Sequence, residues 1–184
     1  VLYTRKTDVF IELKDRPDIA NKADANLFVS IHCNGEAKKL ASGTETFVMG
    51  MTKNASSMEV AKKENSVIDL EADKTSYAGF DPKSPESLIG LTLQHEEYVN
   101  QSLDIASKVQ AAFTDLDRKD RGVKQAPFWV LHRTAMPSIL IELGFLSYKP
   151  EGEWLDSEEG QDKLARAIAD AILSYKKEYF VPGT

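Results

Sequence analysis

The pattern of apolar residues along the chain predicts the strands of a sheet. Residues 27–31 and 138–141 are almost uninterrupted apolar runs, which is typical of strands buried on both faces of a parallel sheet. Shorter apolar or alternating segments predict further strands at residues 1–5, 43–49 and 128–131. The sequence therefore predicts a central sheet.

Apolar residues recur at helical spacing in the segments between these runs. They predict helices at about residues 13–24, 55–67 and 158–178, and a longer one from Leu88 to about Phe113. His95 lies on the apolar stripe of the long helix, as a core residue or as a ligand. Residues 118–122 are polar and predict a turn. The order of elements predicts an α/β fold, an open, mostly parallel twisted sheet flanked by helices in a single domain.

One long segment has no sustained hydrophobic period. Residues 69–87 contain glycine, prolines and several charges, and excursions of this size in compact domains are often lids or binding loops. With the residues on either side, including the start of the long helix, we define residues 66–97 as the insertion.

Composition and charge disfavour several classes of protein. The 184 residues carry 23 Lys and Arg against 29 Asp and Glu, a formal charge of −6, which disfavours nonspecific binding to nucleic acid or anionic membranes. No apolar run approaches the roughly 20 residues that span a bilayer. The single Cys33 excludes an intrachain disulfide framework and a thiolate zinc cluster.

Two ionisable residues follow the two buried runs. His32 comes directly after residues 27–31, and Glu142 directly after residues 138–141. Ligands of open α/β sheets bind beyond the carboxyl ends of the strands, so this pair predicts a metal site or a general acid/base site. Taken singly, the histidine fits a structural role, and the glutamate fits a helix cap or an ion pair with an arginine.

The sequences around these two residues resemble a known family. Ser30-Ile31-His32-Cys33-Asn34 and Glu142-Leu143-Gly144-Phe145-Leu146-Ser147 resemble the motifs of zinc-dependent N-acetylmuramoyl-L-alanine amidases of bacterial cell-wall remodelling. The resemblance covers nearly the whole chain and includes residues 3–5, 20–23, 43–46 and 125–131.

The resemblance implies a function. Zn²⁺ would be the cofactor, His32 one of its ligands, and Glu142 the catalytic carboxylate that takes a proton from water and returns one to the leaving amine. The substrate would be peptidoglycan, cut at the amide bond between N-acetylmuramic acid and L-alanine, in cell-wall remodelling or daughter-cell separation. The protein would act in the bacterial periplasm or cell envelope.

The chain also departs from the family pattern. Two further zinc ligands, a histidine and a glutamate, are expected before Val1, together with a strand and a helix. Residues 1–184 are thus expected to be the larger, C-terminal part of one catalytic domain, and inactive when alone.

Other residues have roles implied by position or resemblance. Ser30 and Asn34 flank His32 and are expected to orient it, while His132 is a candidate for lining the substrate groove. Some amidases of this family carry a lid that an activator protein displaces, and the insertion is a candidate lid, with Glu96 or Glu97 as the blocking carboxylate. The alternative is a solvated insertion that shapes the groove.

The sequence is also compatible with two alternatives to a cell-wall amidase. The first is a noncatalytic peptidoglycan-binding or regulatory relative that has lost the metal site. The second is a peptidase of the zinc carboxypeptidase type, which requires an arginine for the substrate carboxylate.

Overall fold

A computed structural model describes residues 1–72, 77 and 98–180. The chain divides into two compact units. The first comprises Val1–Ser30, Val48–Val99 and Gln125–Ser138; the second comprises Ile31–Phe47, Asn100–Lys124 and Ile139–Thr184.

The described residues form strands and helices in an α/β order. The strands are β1 (Phe28–Asn34), β2 (Thr44–Met49), β3 (Asp120–Ala126) and β4 (Ser138–Phe145). The helices are α1 (Asp15–Lys22), α2 (Ala55–Asn65), α3 (Val99–Thr114), α4 (Trp129–His132), α5 (Lys149–Leu155) and α6 (Glu158–Phe180), with a 3₁₀ helix at Ser66–Leu70.

The four strands form one mixed sheet in the order β1-β4-β2-β3, flanked by helices. Phe28 N donates to Pro137 O at 3.0 Å and Leu146 N donates to Asn34 O at 2.9 Å, so β1 and β4 run in the same direction. Bonds from Thr44 N to Lys119 O and from Gly50 N to Ala126 O make β2 and β3 parallel as well. The predicted α/β fold is confirmed.

Most predicted elements are present with shifted ends. The apolar positions of α6 that the periodicity predicts, including Leu164, Ile168 and Tyr175, are buried. Asn54 caps α2, because its side chain accepts hydrogen bonds from the backbone of Ser56 and Ser57. The predicted long helix is described only as α3; its first half, with His95, lies outside the described residues.

Two of the strand predictions differ from the structure. Residues 1–5 form no strand, and the side chains of Leu2 and Tyr3 are 59% and 60% exposed. An apolar run becomes a strand only where a neighbour pairs with its backbone, and no described strand pairs here. β1 is not buried on both faces: it lies at an edge of the described sheet, and Ile31 is 54% exposed.

The remaining errors lie between residues 118 and 132. The predicted polar turn at 118–122 is the start of β3, which lies at the other edge of the described sheet and so tolerates polar residues. The predicted strand at 128–131 is instead helix α4, because a short apolar run fits a buried helix as well as a strand. Pro127, which has no backbone N–H to donate, separates the two elements.

None of the helices in the described ranges is both long enough and apolar enough to cross a membrane.

Candidate active site

Glu142 lies in the middle of a strand whose other residues are almost all apolar. β4 begins with Ser138-Ile139-Leu140-Ile141, and these side chains are buried, as is Glu142, which is 0% exposed. The strand continues to Phe145, so Glu142 lies within it rather than beyond its end. Burying a carboxylate costs free energy unless hydrogen bonds or opposite charges compensate for the lost water.

His32 lies on the neighbouring strand β1 and is half-buried. The bond from Phe28 N to Pro137 O aligns Phe28 with Ser138, and in the register of that bond His32 lies opposite Glu142. The two predicted site residues are therefore neighbours across the β1–β4 ladder.

The register between β1 and β4 changes along their length. β1 has 7 residues and β4 has 8, although the hydrogen bonds at both ends pair the two strands end to end. β4 thus contains one extra residue, as in a β-bulge, and Gly144, in the second half of β4, has a positive φ of 151°.

Cys33 is close enough to Glu142 to respond to its charge. Burial, followed by the negative charges of Glu142 and Glu151, raises the pKa of the Cys33 thiol. The thiol therefore stays protonated at neutral pH, which disfavours it as a nucleophile.

Asn34 and Glu45 form a buried hydrogen bond near the site. The Asn34 side chain, 3% exposed, donates through Nδ2 to Glu45 Oε1 at 3.0 Å, and its Oδ1 accepts from Gly35 N. Glu45 is 2% exposed, and its other oxygen pairs with Arg121 Nε at 3.1 Å and with Lys124 Nζ. We call these four residues the Glu45 cluster: Asn34, Glu45, Arg121 and Lys124.

Glu151, on α5, ties the end of β4 to two other segments. Its carboxylate, 5% exposed, accepts from Phe145 N at 2.6 Å and from Gly43 N at 3.0 Å, and it pairs with Arg118. The Arg118 guanidinium also lies over the Trp154 ring, 4.4 Å from its centroid. Glu151 thereby fixes the backbone just after Glu142.

The sequence did not predict the roles of Glu45 and Glu151, because isolated charged residues usually lie on solvated faces. One feature pointed to Glu45: in the alternating strand 43–49 it shares a face with Phe47 and Met49, which are apolar. No comparable pattern singles out Glu151.

The other predicted site residues have different surroundings. Ser30 is half-buried in β1, two residues before His32 and on the same face of the strand. His132 ends α4, and its ring packs edge-on against Trp129 at 4.8 Å. The strand that was expected to carry His132 to the sheet edge is absent, so its groove role stays a prediction. Glu96 and Glu97 lie outside the described residues.

The described start of the insertion is anchored to the segment before α1. Glu71, 4% exposed, accepts from Leu13 N at 2.6 Å. The Tyr77 hydroxyl accepts from Lys14 N at 3.1 Å, and its ring packs edge-on against Trp129. Burial and the neighbouring Glu71 raise the pKa of Tyr77. These contacts give Glu71 a structural role, whatever the function of the insertion.

The described residues supply only part of a zinc site. His32 offers an imidazole nitrogen, a preferred zinc donor, but a catalytic zinc takes three protein ligands. The structurally described part of the chain contains no group of three or more His, Cys, Asp or Glu that could hold a metal ion. The site is therefore incomplete among these residues.

Comparison with known proteins identifies the family. A family model described as N-acetylmuramoyl-L-alanine amidase matches residues 1–174. The curated amidase AmiA of Escherichia coli is 29% identical over 175 residues, which are 94% of this chain and 59% of AmiA. LytC of Bacillus subtilis is 27% identical over 94% of this chain and 26% of its own length.

Solved structures agree with this match. An N-acetylmuramoyl-L-alanine amidase from Clostridium difficile 630 aligns with a TM-score of 0.67 and 28% identity, over 96% of this chain and 71% of that chain. AmiC2 of Nostoc punctiforme aligns with a TM-score of 0.63 and 26% identity, over 95% and 71%. The match favours an amidase over the carboxypeptidase alternative. The chain belongs to the N-acetylmuramoyl-L-alanine amidase family.

Proposed function

We propose that this protein hydrolyses the amide bond between N-acetylmuramic acid and L-alanine in peptidoglycan. The observation that carries the proposal is the fully buried Glu142 opposite His32 on adjacent strands, in a chain of the amidase family. Its relatives AmiA and LytC are named as N-acetylmuramoyl-L-alanine amidases, enzymes that act on this bond. The chain spans less than two thirds of either relative, so the activity is proposed for the protein that contains it.

Glu142 is the proposed general base and acid. A carboxylate beside the scissile carbonyl takes a proton from the attacking water and then passes a proton to the departing amine of L-alanine. The bond between the lactyl carbonyl and the alanine nitrogen breaks, which leaves a free glycan strand and a free stem peptide. The rigid strand around Glu142 keeps the carboxylate in one place throughout the two transfers.

His32 is proposed as a ligand of Zn²⁺. Its imidazole suits the metal, and the remaining ligands would come from outside the described residues. A zinc ion at such a site acidifies water and polarises the carbonyl under attack.

Cellular role and partners follow from the same proposal. We place the protein in the bacterial cell envelope or periplasm, where it would take part in wall remodelling or daughter-cell separation. Peptidoglycan is the proposed substrate. The insertion is proposed to act as a lid that an activator protein displaces, and Glu96 or Glu97 would supply the blocking carboxylate.

The direct test is peptide release from purified sacculi. The full-length gene product, loaded with zinc, is incubated with sacculi, and the soluble products are separated and identified by mass spectrometry. We expect stem peptides with a free L-alanine amine, loss of release with a chelator, and recovery when zinc is restored.

Two results would overturn the proposal. Release that is unaffected by the chelator would contradict the zinc mechanism. Binding to sacculi without any release, by zinc-loaded protein with or without residues 66–97, would favour the noncatalytic peptidoglycan-binding relative.

A further inference from the structure

The Glu45 cluster joins all four strands of the sheet near the proposed active site. Asn34 is the last residue of β1, Glu45 lies on β2, and Arg121 and Lys124 lie on β3. The Arg121 guanidinium also lies over the ring of Phe145, the last residue of β4, 4.8 Å from its centroid.

The hydrogen bond between Asn34 and Glu45 spans the strand that carries Glu142. The sheet order is β1-β4-β2-β3, so β1 and β2 flank β4 on either side. A bond of 3.0 Å between their side chains therefore holds together the two strands on either side of Glu142. Asn34 is also two residues beyond His32, and its carbonyl pairs with Leu146 N at 2.9 Å.

The charges of the cluster keep Glu45 in one orientation. Oε1 accepts from Asn34, while Oε2 pairs with both Arg121 and Lys124. A buried carboxylate with this number of partners has few alternative rotamers, because any rotation would leave the charge without compensation. The Asn34 amide is fixed in turn.

We propose that Glu45 is a positioning residue of the amidase reaction: through Asn34 it sets the separation and register of the strands that carry His32 and Glu142. This inference rests on the proposed function. Neither Glu45 nor its two cations are proposed to touch the substrate. Catalysis depends on the placement of reacting groups to within about an ångström, so loss of this link should lower the rate of the chemical step more than substrate binding.

The test compares two variants with a matched control. Glu45→Ala removes the carboxylate. Asn34→Ala removes the link between β1 and Glu45, together with the bond that Asn34 Oδ1 accepts from Gly35 N, while it leaves the ion pairs of Glu45 in place. The control is Gln110→Ala. Gln110 is also buried, and it bonds to Thr46 at 2.9 Å and to the Thr44 carbonyl, on the same strand as Glu45.

The kinetic readout is kcat and KM on a soluble muramyl peptide, measured with zinc-loaded full-length protein and corrected for the folded fraction. For both Glu45→Ala and Asn34→Ala we expect kcat to fall by about 10–100-fold with KM changed by less than about twofold. Gln110→Ala should leave both constants near those of the wild type. The double variant should lose no more than the larger single loss, because the two residues act as one unit.

A second readout is independent of activity. The Leu146 amide reports the β1–β4 pairing through its bond to the Asn34 carbonyl, so its hydrogen exchange should accelerate in Asn34→Ala and in Glu45→Ala but not in Gln110→Ala. If Glu45→Ala fails to fold, Asn34→Ala alone decides.

The outcomes separate this inference from the proposed function. An inactive or chelator-insensitive wild type would overturn the amidase proposal itself. An active wild type with unchanged kcat in Asn34→Ala, or single losses that multiply in the double variant, would overturn the positioning role alone.

Discussion

The carboxylate of Glu151 occupies the space beside Gly144 that a side chain would need. A Cβ built at Gly144 would lie 2.8 Å from Glu151 Cδ and 3.1 Å from Arg118 Nη2, and the backbone there has a φ of 151°. Glycine is therefore required at this position for two reasons: the backbone has a positive φ, and there is no room for a side chain. The requirement lies two residues beyond Glu142, so the same contact defines the end of the strand that carries the proposed catalytic group.

Gly144→Ala should destabilise the protein by about 2–4 kcal/mol, because backbone strain and a collision with a buried ion pair add together. The free energy of unfolding in denaturant measures the loss. The matched control is Gly122→Ala: Gly122 also has a positive φ, 84°, but its Cβ would meet no atom within 4 Å. The control should lose only about 1 kcal/mol, the cost of the conformation. Equal losses in the two variants would show that Glu151 does not restrict position 144.

Glu151→Gln should also destabilise the protein, because it removes the charge that Arg118 and two backbone amides share. We expect a loss of about 3–5 kcal/mol, the range for removing one partner of a buried ion pair. Asp162→Asn is the control. Asp162 pairs with Arg166 on the exposed face of α6, and solvent screens that pair, so no measurable loss is expected. A stable Glu151→Gln protein would mean that the hydrogen bonds alone hold the segment.

Glu142→Gln tests the proposed general base. An amide of nearly the same shape cannot take a proton from water, so kcat for peptide release should fall by about 10²–10⁴-fold. Zinc content, measured by atomic absorption, should be retained, since Glu142 is not a proposed ligand. Retained kcat would assign proton transfer to another group.

His32→Ala tests the proposed metal ligand. We expect the purified full-length variant to lose most of its bound zinc and its peptide release together, because one of three ligands is missing. His132→Ala serves as the control for metal content, since His132 packs against Trp129 and is not a proposed ligand. Equal zinc content in both variants would exclude His32 from the site.

Sequence patterns predicted the interior of this fold better than its edges. The alternating segment that became β2 and the apolar run that became β4 are buried along most of their length, and their patterns alone indicate strands. β3 is partly exposed and polar, and it forms because β2 offers a backbone to pair with, which no local pattern records. Residues 1–5 show the converse, since their apolar side chains have no described strand beside them.

The candidate site also contains residues that the sequence predicts and residues that it does not. His32 and Glu142 could be predicted because each follows an apolar run and lies in a family motif. Their neighbours Glu45 and Glu151 could not be predicted. Glu45 pairs with residues 76 and 79 positions away along the chain, and Glu151 accepts a hydrogen bond from a residue 108 positions away. Such partners become visible only when the folded chain brings distant charges together.

The final prediction concerns alkaline pH and Tyr175. This side chain is 1% exposed in α6, and burial, followed by the nearby Tyr179 and Asp104, raises its pKa to about 12 from an ordinary value of 10.0. A raised pKa in the folded state means that the unfolded chain loses its phenolic proton first. The contribution of Tyr175 to stability is thus complete below pH 10 and is lost as the pH rises toward 12. Over this pH range, the unfolding free energy of the wild type should therefore fall by about 1–2 kcal/mol more than that of Tyr175→Phe.

Unfolding free energies of the wild type and Tyr175→Phe at pH 9, 10 and 11 measure the difference. Tyr179→Phe, at a more exposed position on the same helix, is the control and should follow the wild type more closely. Parallel pH profiles for the wild type and Tyr175→Phe would show that Tyr175 titrates normally and is accessible to solvent in the folded protein.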